Sequence, residues 1–120
     1  MAIKKILIVD DSTTDLKNLQ QICVDAGYTV VTASCGVEAV AKANSEKPDA
    51  VLLDIIMADM NGFQVCRALA SNEATQHIPV VLVSSKAEKT DRLWGQQQGA
   101  KAYITKPYTS DQILNQLLHL

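Results

Sequence analysis

Three short apolar runs in this chain stop abruptly at polar side chains. Lys5-Ile6-Leu7-Ile8-Val9 leads into Asp10-Asp11, Val51-Leu52-Leu53 into Asp54, and Pro79-Val80-Val81-Leu82-Val83 into Ser84-Ser85. Runs of this length with no polar alternation predict strands buried on both faces, as in a parallel sheet covered by helices. Tyr28 to Ala33 reads as a fourth strand whose more polar make-up suits a sheet edge, and Ala102-Tyr103-Ile104-Thr105 as a fifth, ending in Lys106-Pro107. Helical spacing fills the intervals. Ser12 can cap a first helix, with Asp15 near its positive end; Leu16, Leu19, Ile22 or Cys23, and Ala26 recur on one face, and Gly27 stops it. Val37, Val40 and Ala41 mark a second helix, broken by Lys47-Pro48-Asp49. Gly62 opens a third, with Phe63, Cys66, and Leu69 or Ala70 inward. A fourth and less apolar helix is predicted over Lys86 to Gln98, containing Leu93 and Trp94 and ended by Gly99. Thr109 and Gln112 form a capping-box pattern at the start of the last helix, whose inward residues are Ile113, Leu117 and Leu120.

Five strands alternating with five helices imply parallel pairing through right-handed crossovers, hence an α/β, doubly wound, three-layer sandwich. Pattern alone does not give the strand order, although 2-1-3-4-5 is one of the two common doubly wound orders. The 120 residues read as one domain, 1–120, with a single core and no output domain. In such sheets ligands gather beyond the carboxyl ends of the strands. Asp10, Asp11, Asp54, Ser84 and Lys106 all stand there.

Composition narrows the function classes. The formal net charge of -2, with eleven scattered Lys and Arg, provides no basic patch for nucleic acid or an anionic membrane. Cys23, Cys35 and Cys66 are odd in number and lack a C-x-x-C spacing, which suits reduced core thiols better than a disulfide framework or zinc site. Met1-Ala2-Ile3-Lys4-Lys5 has the positive charge of a signal peptide, but Asp10 cuts the apolar stretch that follows, and no segment has the length of a membrane span. A cytoplasmic monomer is expected.

Three carboxylates cannot share a small site as bare anions unless one takes a proton at considerable cost. A divalent cation removes that difficulty, and carboxylate oxygens plus retained waters suit Mg²⁺. On the other reading Asp10 and Asp11 only cap the first helix; no helix begins directly after Asp54, so capping does not account for its place. Ser84 alone would be an ordinary loop serine and Lys106 a solvated lysine. At strand tips facing one crevice, a hydroxyl and an ammonium could hold the oxygens of a phosphoryl group. Carboxylate nucleophile, Mg²⁺, hydroxyl and lysine are the parts of a phosphoryl-transfer site, with an aspartyl phosphate as its product.

The set Asp10-Asp11, Asp54 with Met57 and Gly62 downstream, Ser84, and Lys106-Pro107 closely resembles the receiver domain of two-component response regulators, over essentially the whole chain. The resemblance implies a signalling protein rather than an enzyme of metabolism, one that catalyses its own aspartyl phosphorylation and dephosphorylation. It implies that Asp54 accepts a phosphoryl group from a histidine kinase or phosphotransfer domain. Asp11, Asp54 and the Ile56 carbonyl would bind Mg²⁺, with Asp10 assisting through water. Ser84 becomes the switch hydroxyl, Lys106 the phosphate contact, and Tyr103, otherwise a half-buried strand aromatic, the side chain whose rotation reports phosphorylation. A cis Lys106-Pro107 bond is implied as well, and a downstream protein would bind across the fourth helix, fifth strand and fifth helix. The chain departs from the family pattern at Ala58, where a proline usually follows the methionine. Within the family, Trp94-Gly95, Gln98-Gly99-Ala100 and Asp10-Asp11-Ser12 look most like a regulator of type IV pilus twitching motility; Trp94 would otherwise be read as helix packing.

Other classes fit less well. A haloacid-dehalogenase-like phosphatase needs a second aspartate two residues after the first, where this chain has Ile56. Flavodoxin-like cofactor binding would want Gly, Ser and Thr after the first strand, whereas Asp10-Asp11 would repel a phosphate. A receiver-shaped interaction module that is never phosphorylated is the remaining alternative.

Overall fold

A computed structural model describes residues 3–86 and 88–120. Met1 and Ala2, in the basic start considered above, and Ala87, within the span predicted for the fourth helix, lie outside the described residues. The elements are β1 (Lys5–Val9), α1 (Thr13–Asp25), β2 (Thr29–Ala33), α2 (Gly36–Glu46), β3 (Ala50–Leu53), α3 (Gly62–Ala70), β4 (Val80–Ser84), α4 (Lys89–Gln97), β5 (Ala102–Thr105) and α5 (Ser110–Leu118). All strand pairs are parallel, in the order β2-β1-β3-β4-β5. The strand β2 lies at the sheet edge, as its more polar make-up predicts.

The central strands β1, β3 and β4 are apolar on both faces because helices cover both. Their side chains alternate between two core layers. Leu7, Val9, Val51, Leu53 and Leu82 pack with Ala39 and Ala43 of α2 and Phe63, Val65, Cys66 and Leu69 of α3. Ile6, Ile8, Leu52, Val81, Val83 and Ile104 pack with Leu19 and Cys23 of α1 and Ile113 and Leu117 of α5. Burial raises the Cys66 thiol to about 12 and the Cys23 thiol to about 11, so both stay protonated and inert at neutral pH. Cys35 corrects the expectation of three core thiols. It is only partly buried, at the N-cap position of α2.

The helix boundaries follow local chemistry. Ser12 caps α1, Asn61 caps α3 in a reciprocal pair with Gln64, and Thr109 caps α5 in the same way with Gln112. Gly27 and Gly99 leave α1 and α4 with φ of +96° and +98°, a conformation that glycine adopts without a Cβ penalty. The fourth helix begins at Lys89, three residues later than its predicted start. Its first turn is organised by Asp91, whose carboxylate accepts the Glu88 amide at 3.2 Å, while the Lys86 carbonyl is taken by the Tyr103 hydroxyl. The turn after β3 is tight. Gly62 donates its amide to the Ile55 carbonyl at 2.8 Å, and a Cβ on Gly62 would lie 2.5 Å from the Asp54 carbonyl oxygen. The Lys106–Pro107 bond is cis.

Candidate functional site

The parallel register brings the tips of β1, β3, β4 and β5 to one edge of the sheet. Val9 pairs with Leu53, and Ser84 with Thr105, so Asp10, Asp54, Ser84 and Lys106 leave the strands side by side. Carboxylate oxygens of Asp10, Asp11 and Asp54 lie within 4.8 Å of one another. Asp10 is almost wholly buried and Asp54 nearly so, while Asp11 is exposed. Neither Asp10 nor Asp11 caps α1, since that position belongs to Ser12. Asp10 instead uses one oxygen to accept the Ser12 amide at 2.9 Å and turns the other into the site.

Lys106 is the cation among these acids. Its Nζ donates to Asp10 Oδ2 and to Asp15 Oδ2, both at 2.9 Å, and lies 3.9 Å from Asp54 Oδ2. Burial by itself would lower the Lys106 ammonium, but hydrogen bonds to Asp10 and Asp15 and the charge of Asp54 outweigh it and push it up. Lys106 is therefore charged at every physiological pH. Asp54 moves the other way for a carboxylate: burial first, then the charge of Asp10, raise it to about 6. The Lys106 ammonium, the Ile55 amide and the Ser84 hydroxyl oppose that rise without cancelling it. One ammonium serves three buried or half-buried acids. The deficit is what a divalent cation would fill, and the all-oxygen donor set fits Mg²⁺.

Ser84 is fully buried at the end of β4, and its Oγ accepts the Lys86 amide at 3.4 Å. Ile56 lies in the loop between β3 and α3 with its side chain largely exposed, beside Ile55, which is buried. Tyr103 stands on β5, next to the strand that ends in Ser84. It is half-buried opposite Leu82, and its hydroxyl reaches the Lys86 carbonyl while the Arg92 guanidinium lies 5.8 Å from its ring centre. Gly95 of α4 is pressed so near the sheet that a Cβ there would be 2.7 Å from Leu82 Cδ1 and 3.5 Å from Tyr103 Cδ2. Trp94 next to it is about half exposed and meets Phe63 edge to face, with ring centres 6.4 Å apart.

Local sequence pattern does not show the roles of two acids, Asp15 beside the strand tips and Asp59 in the loop after β3. Its position in the first turn relates Asp15 only to the helix dipole, yet it is the second anchor of Lys106. Nothing in the local sequence marks Asp59, and its carboxylate takes the first two amides of α2: Gly36 N to Oδ1 and Val37 N to Oδ2, both at 2.9 Å. Those bonds, Val37 first, lower Asp59 to about 2. Asp15 lies 91 residues from Lys106, and Asp59 more than 20 from either amide. Such distances leave no local spacing to detect.

The family model of the response regulator receiver domain matches residues 6–118. This chain belongs to the response regulator receiver family. The receiver is 44% identical to protein PilH of Pseudomonas aeruginosa over 110 residues, which are 92% of this chain and 91% of that one. Among solved structures it superposes on chemotaxis protein CheY4 of Vibrio cholerae with a TM-score of 0.92 at 30% identity, covering 98% of both chains. The CheX-CheY-BeF3-Mg²⁺ complex of Borrelia burgdorferi contains a chain matched with a TM-score of 0.91 at 29% identity, covering 97% of this receiver and 87% of that chain. Receiver membership replaces the phosphatase and flavodoxin alternatives.

Proposed function

We propose that this receiver carries a signal as an aspartyl phosphate on Asp54, taken from a histidine kinase or phosphotransfer domain, and hands it on by changing a protein-binding surface. The observation that carries the proposal is the convergence of Asp54, raised to about 6 by burial and by Asp10, with Lys106 at 3.9 Å and with Asp11 at one sheet edge. A carboxylate so placed is partly desolvated, free of any capping duty, and faced by a permanent cation.

Asp10, Asp11 and Asp54, with the Ile56 carbonyl, are the groups that would hold Mg²⁺. When bound, the ion supplies positive charge against the phosphoryl oxygens and lowers repulsion between donor and acceptor. The chain's own groups do the rest. Asp54 presents the nucleophilic oxygen while its other oxygen is fixed by the Ile55 amide at 2.8 Å. Lys106, already within reach, shifts from its carboxylate partners toward a phosphoryl oxygen, and the Ser84 hydroxyl donates to another. Movement of Ser84 opens space at the end of β4 that Tyr103 can fill by giving up the Lys86 carbonyl. The surface of α4, β5 and α5 then changes shape, and a downstream protein binds there. Likeness to PilH supports placing this in a chemosensory pathway that controls type IV pilus twitching motility.

Intact mass after incubation with acetyl phosphate and Mg²⁺ tests the reading. One phosphoryl group should be gained, and Asp54→Asn should gain none; Asp11→Ala should bind Mg²⁺ far more weakly. A protein that gains nothing, or an Asp54→Asn variant labelled at the normal rate, removes the proposal and leaves the unphosphorylated interaction module.

A further inference from the structure

Asp59 is a carboxylate in the same loop as Ile56, yet it is outside the group of three that face one another at the strand tips. It points away to α2. Helix N-termini carry amides with no partner in their own helix, and the N-cap side chain ordinarily supplies one. Here Cys35 holds the N-cap position and makes no side-chain capping bond. Asp59 supplies two from another segment, through both carboxylate oxygens, at 2.9 Å each. The neighbouring residue strengthens the joint. Met60 packs so closely on Gly36 that a Cβ at that glycine would be 2.8 Å from Met60 Cβ.

The loop from Ile55 to Asn61 is also held at its base, where the Gly62 amide meets the Ile55 carbonyl, and by Met57 and Met60, whose partly buried side chains pack on the core. It contains no proline, and the Ala58 amide makes no hydrogen bond among the described residues. Packing of Ile55 and Met57 sets the depth of this segment, and the orientation of the Ile56 carbonyl depends in part on what pins the far side of the loop. Resting on the proposed function, we propose that Asp59 is a positioning residue for the cation site: by tying the β3–α3 loop to the N-terminus of α2, it holds the Ile56 carbonyl at the place where that oxygen completes the set formed by Asp10, Asp11 and Asp54. Side chains that orient first ligands change metal affinity by roughly 10–100-fold when removed. The same joint links α2 to the phosphorylation site, so the helix start moves when the loop moves.

The test compares the full chain, Asp59→Ala, and Asp59→Ala combined with Ala58→Pro, using Mg²⁺ itself as titrant. A proline at 58 restricts both its own φ and the residue before it, so it restores stiffness without restoring the bonds to α2. Backbone hydrogen exchange is measured on the metal-free proteins beside the titration. Asp59→Ala should speed exchange at Gly36 and Val37 and across 55–62, and weaken Mg²⁺ binding roughly tenfold. Adding Ala58→Pro should recover most of the affinity and slow exchange in 55–62, while Gly36 and Val37 stay fast. If Asp59→Ala exposes Gly36 and Val37 but leaves loop exchange and Mg²⁺ affinity unchanged, Asp59 merely caps α2 and the proposal fails. Absence of Mg²⁺ binding in the unsubstituted protein would instead overturn the proposed function, and loop exchange would still decide what Asp59 does.

Discussion

Replacing Asp54 by asparagine should make the metal-free protein more stable at neutral pH, although it removes the acceptor. The reason is the rise of Asp54 from 3.8 to about 6, caused first by burial and then by the Asp10 charge. A carboxylic acid that is harder to ionise when folded binds its proton more readily in the folded state than in the unfolded one. Stability therefore falls as pH rises through the interval from about 4 to about 6, and the cost is fully present above it. Two units correspond to roughly 3 kcal/mol, and solvent at the open mouth of the site reduces this to about 1–2 kcal/mol. Asparagine keeps an acceptor for the Ile55 amide, which Asp54 binds at 2.8 Å, and carries no charge to desolvate. For a domain of this size the gain amounts to roughly 3–8 °C in Tm. Thermal unfolding in EDTA should show this difference at pH 7.5 and lose most of it near pH 4, where Asp54 is protonated in the folded state and partly protonated in the unfolded one. Saturating Mg²⁺ should raise the unsubstituted protein toward or above the variant, because a ligand bound only by the folded state adds RT ln(1 + [L]/Kd). Equal stability at pH 7.5, or a gain just as large at pH 4, would refute the electrostatic account of the site.

Three further outcomes are expected. Asp15→Asn removes one of the two 2.9 Å partners of Lys106, so the ammonium should turn more fully to Asp54 and the Asp54 titration, followed by carboxyl NMR, should move down from about 6. Ile56→Asn replaces an exposed apolar side chain near the acceptor with one that can orient water, and the phosphorylated variant should lose phosphate faster in a timed mass assay; equal or slower loss counts against this. A phosphoryl mimic with Mg²⁺ should change Trp94 emission and hydrogen exchange in Lys89–Gln97, while Tyr103→Ala weakens partner binding and leaves phosphorylation intact; unchanged signals with the mimic bound would move the output surface elsewhere.

Much of this architecture was legible because it rests on short-range regularities. The apolar runs of β1, β3 and β4 record burial on both faces, the polar content of β2 records an edge, and each run's terminal side chain marks the same sheet edge. Caps written within four residues, as at Thr109 and Gln112, were equally visible. What escaped depends on segments far apart in the chain. Asp49 reads as part of a helix break, but its carboxylate accepts the amides of Lys4 and Lys5, both at 2.9 Å, at the entry to β1, and these bonds, Lys5 first, lower its pKa. Thr75 carries no local signal, yet its buried hydroxyl closes the end of α3 by donating to the Leu69 carbonyl at 2.7 Å. Asp15 and Asp59 are of the same kind. The late start of α4 has a different origin: polar residues after Ser84 carry no period that distinguishes a loop from a weakly apolar first turn.

The sheet divides the interior into two apolar layers whose side chains come from alternate positions of the same strands. Leu82 and Tyr103 face one layer, and Val81, Val83 and Ile104 the other. Substitutions on opposite sides share few partners, and separated changes combine nearly additively. The lineage can thus exchange residues around α1 and α5 without renegotiating those beneath α2 and α3. A protein with one chemical site can in this way acquire new neighbours on one side while its other side stays as inherited.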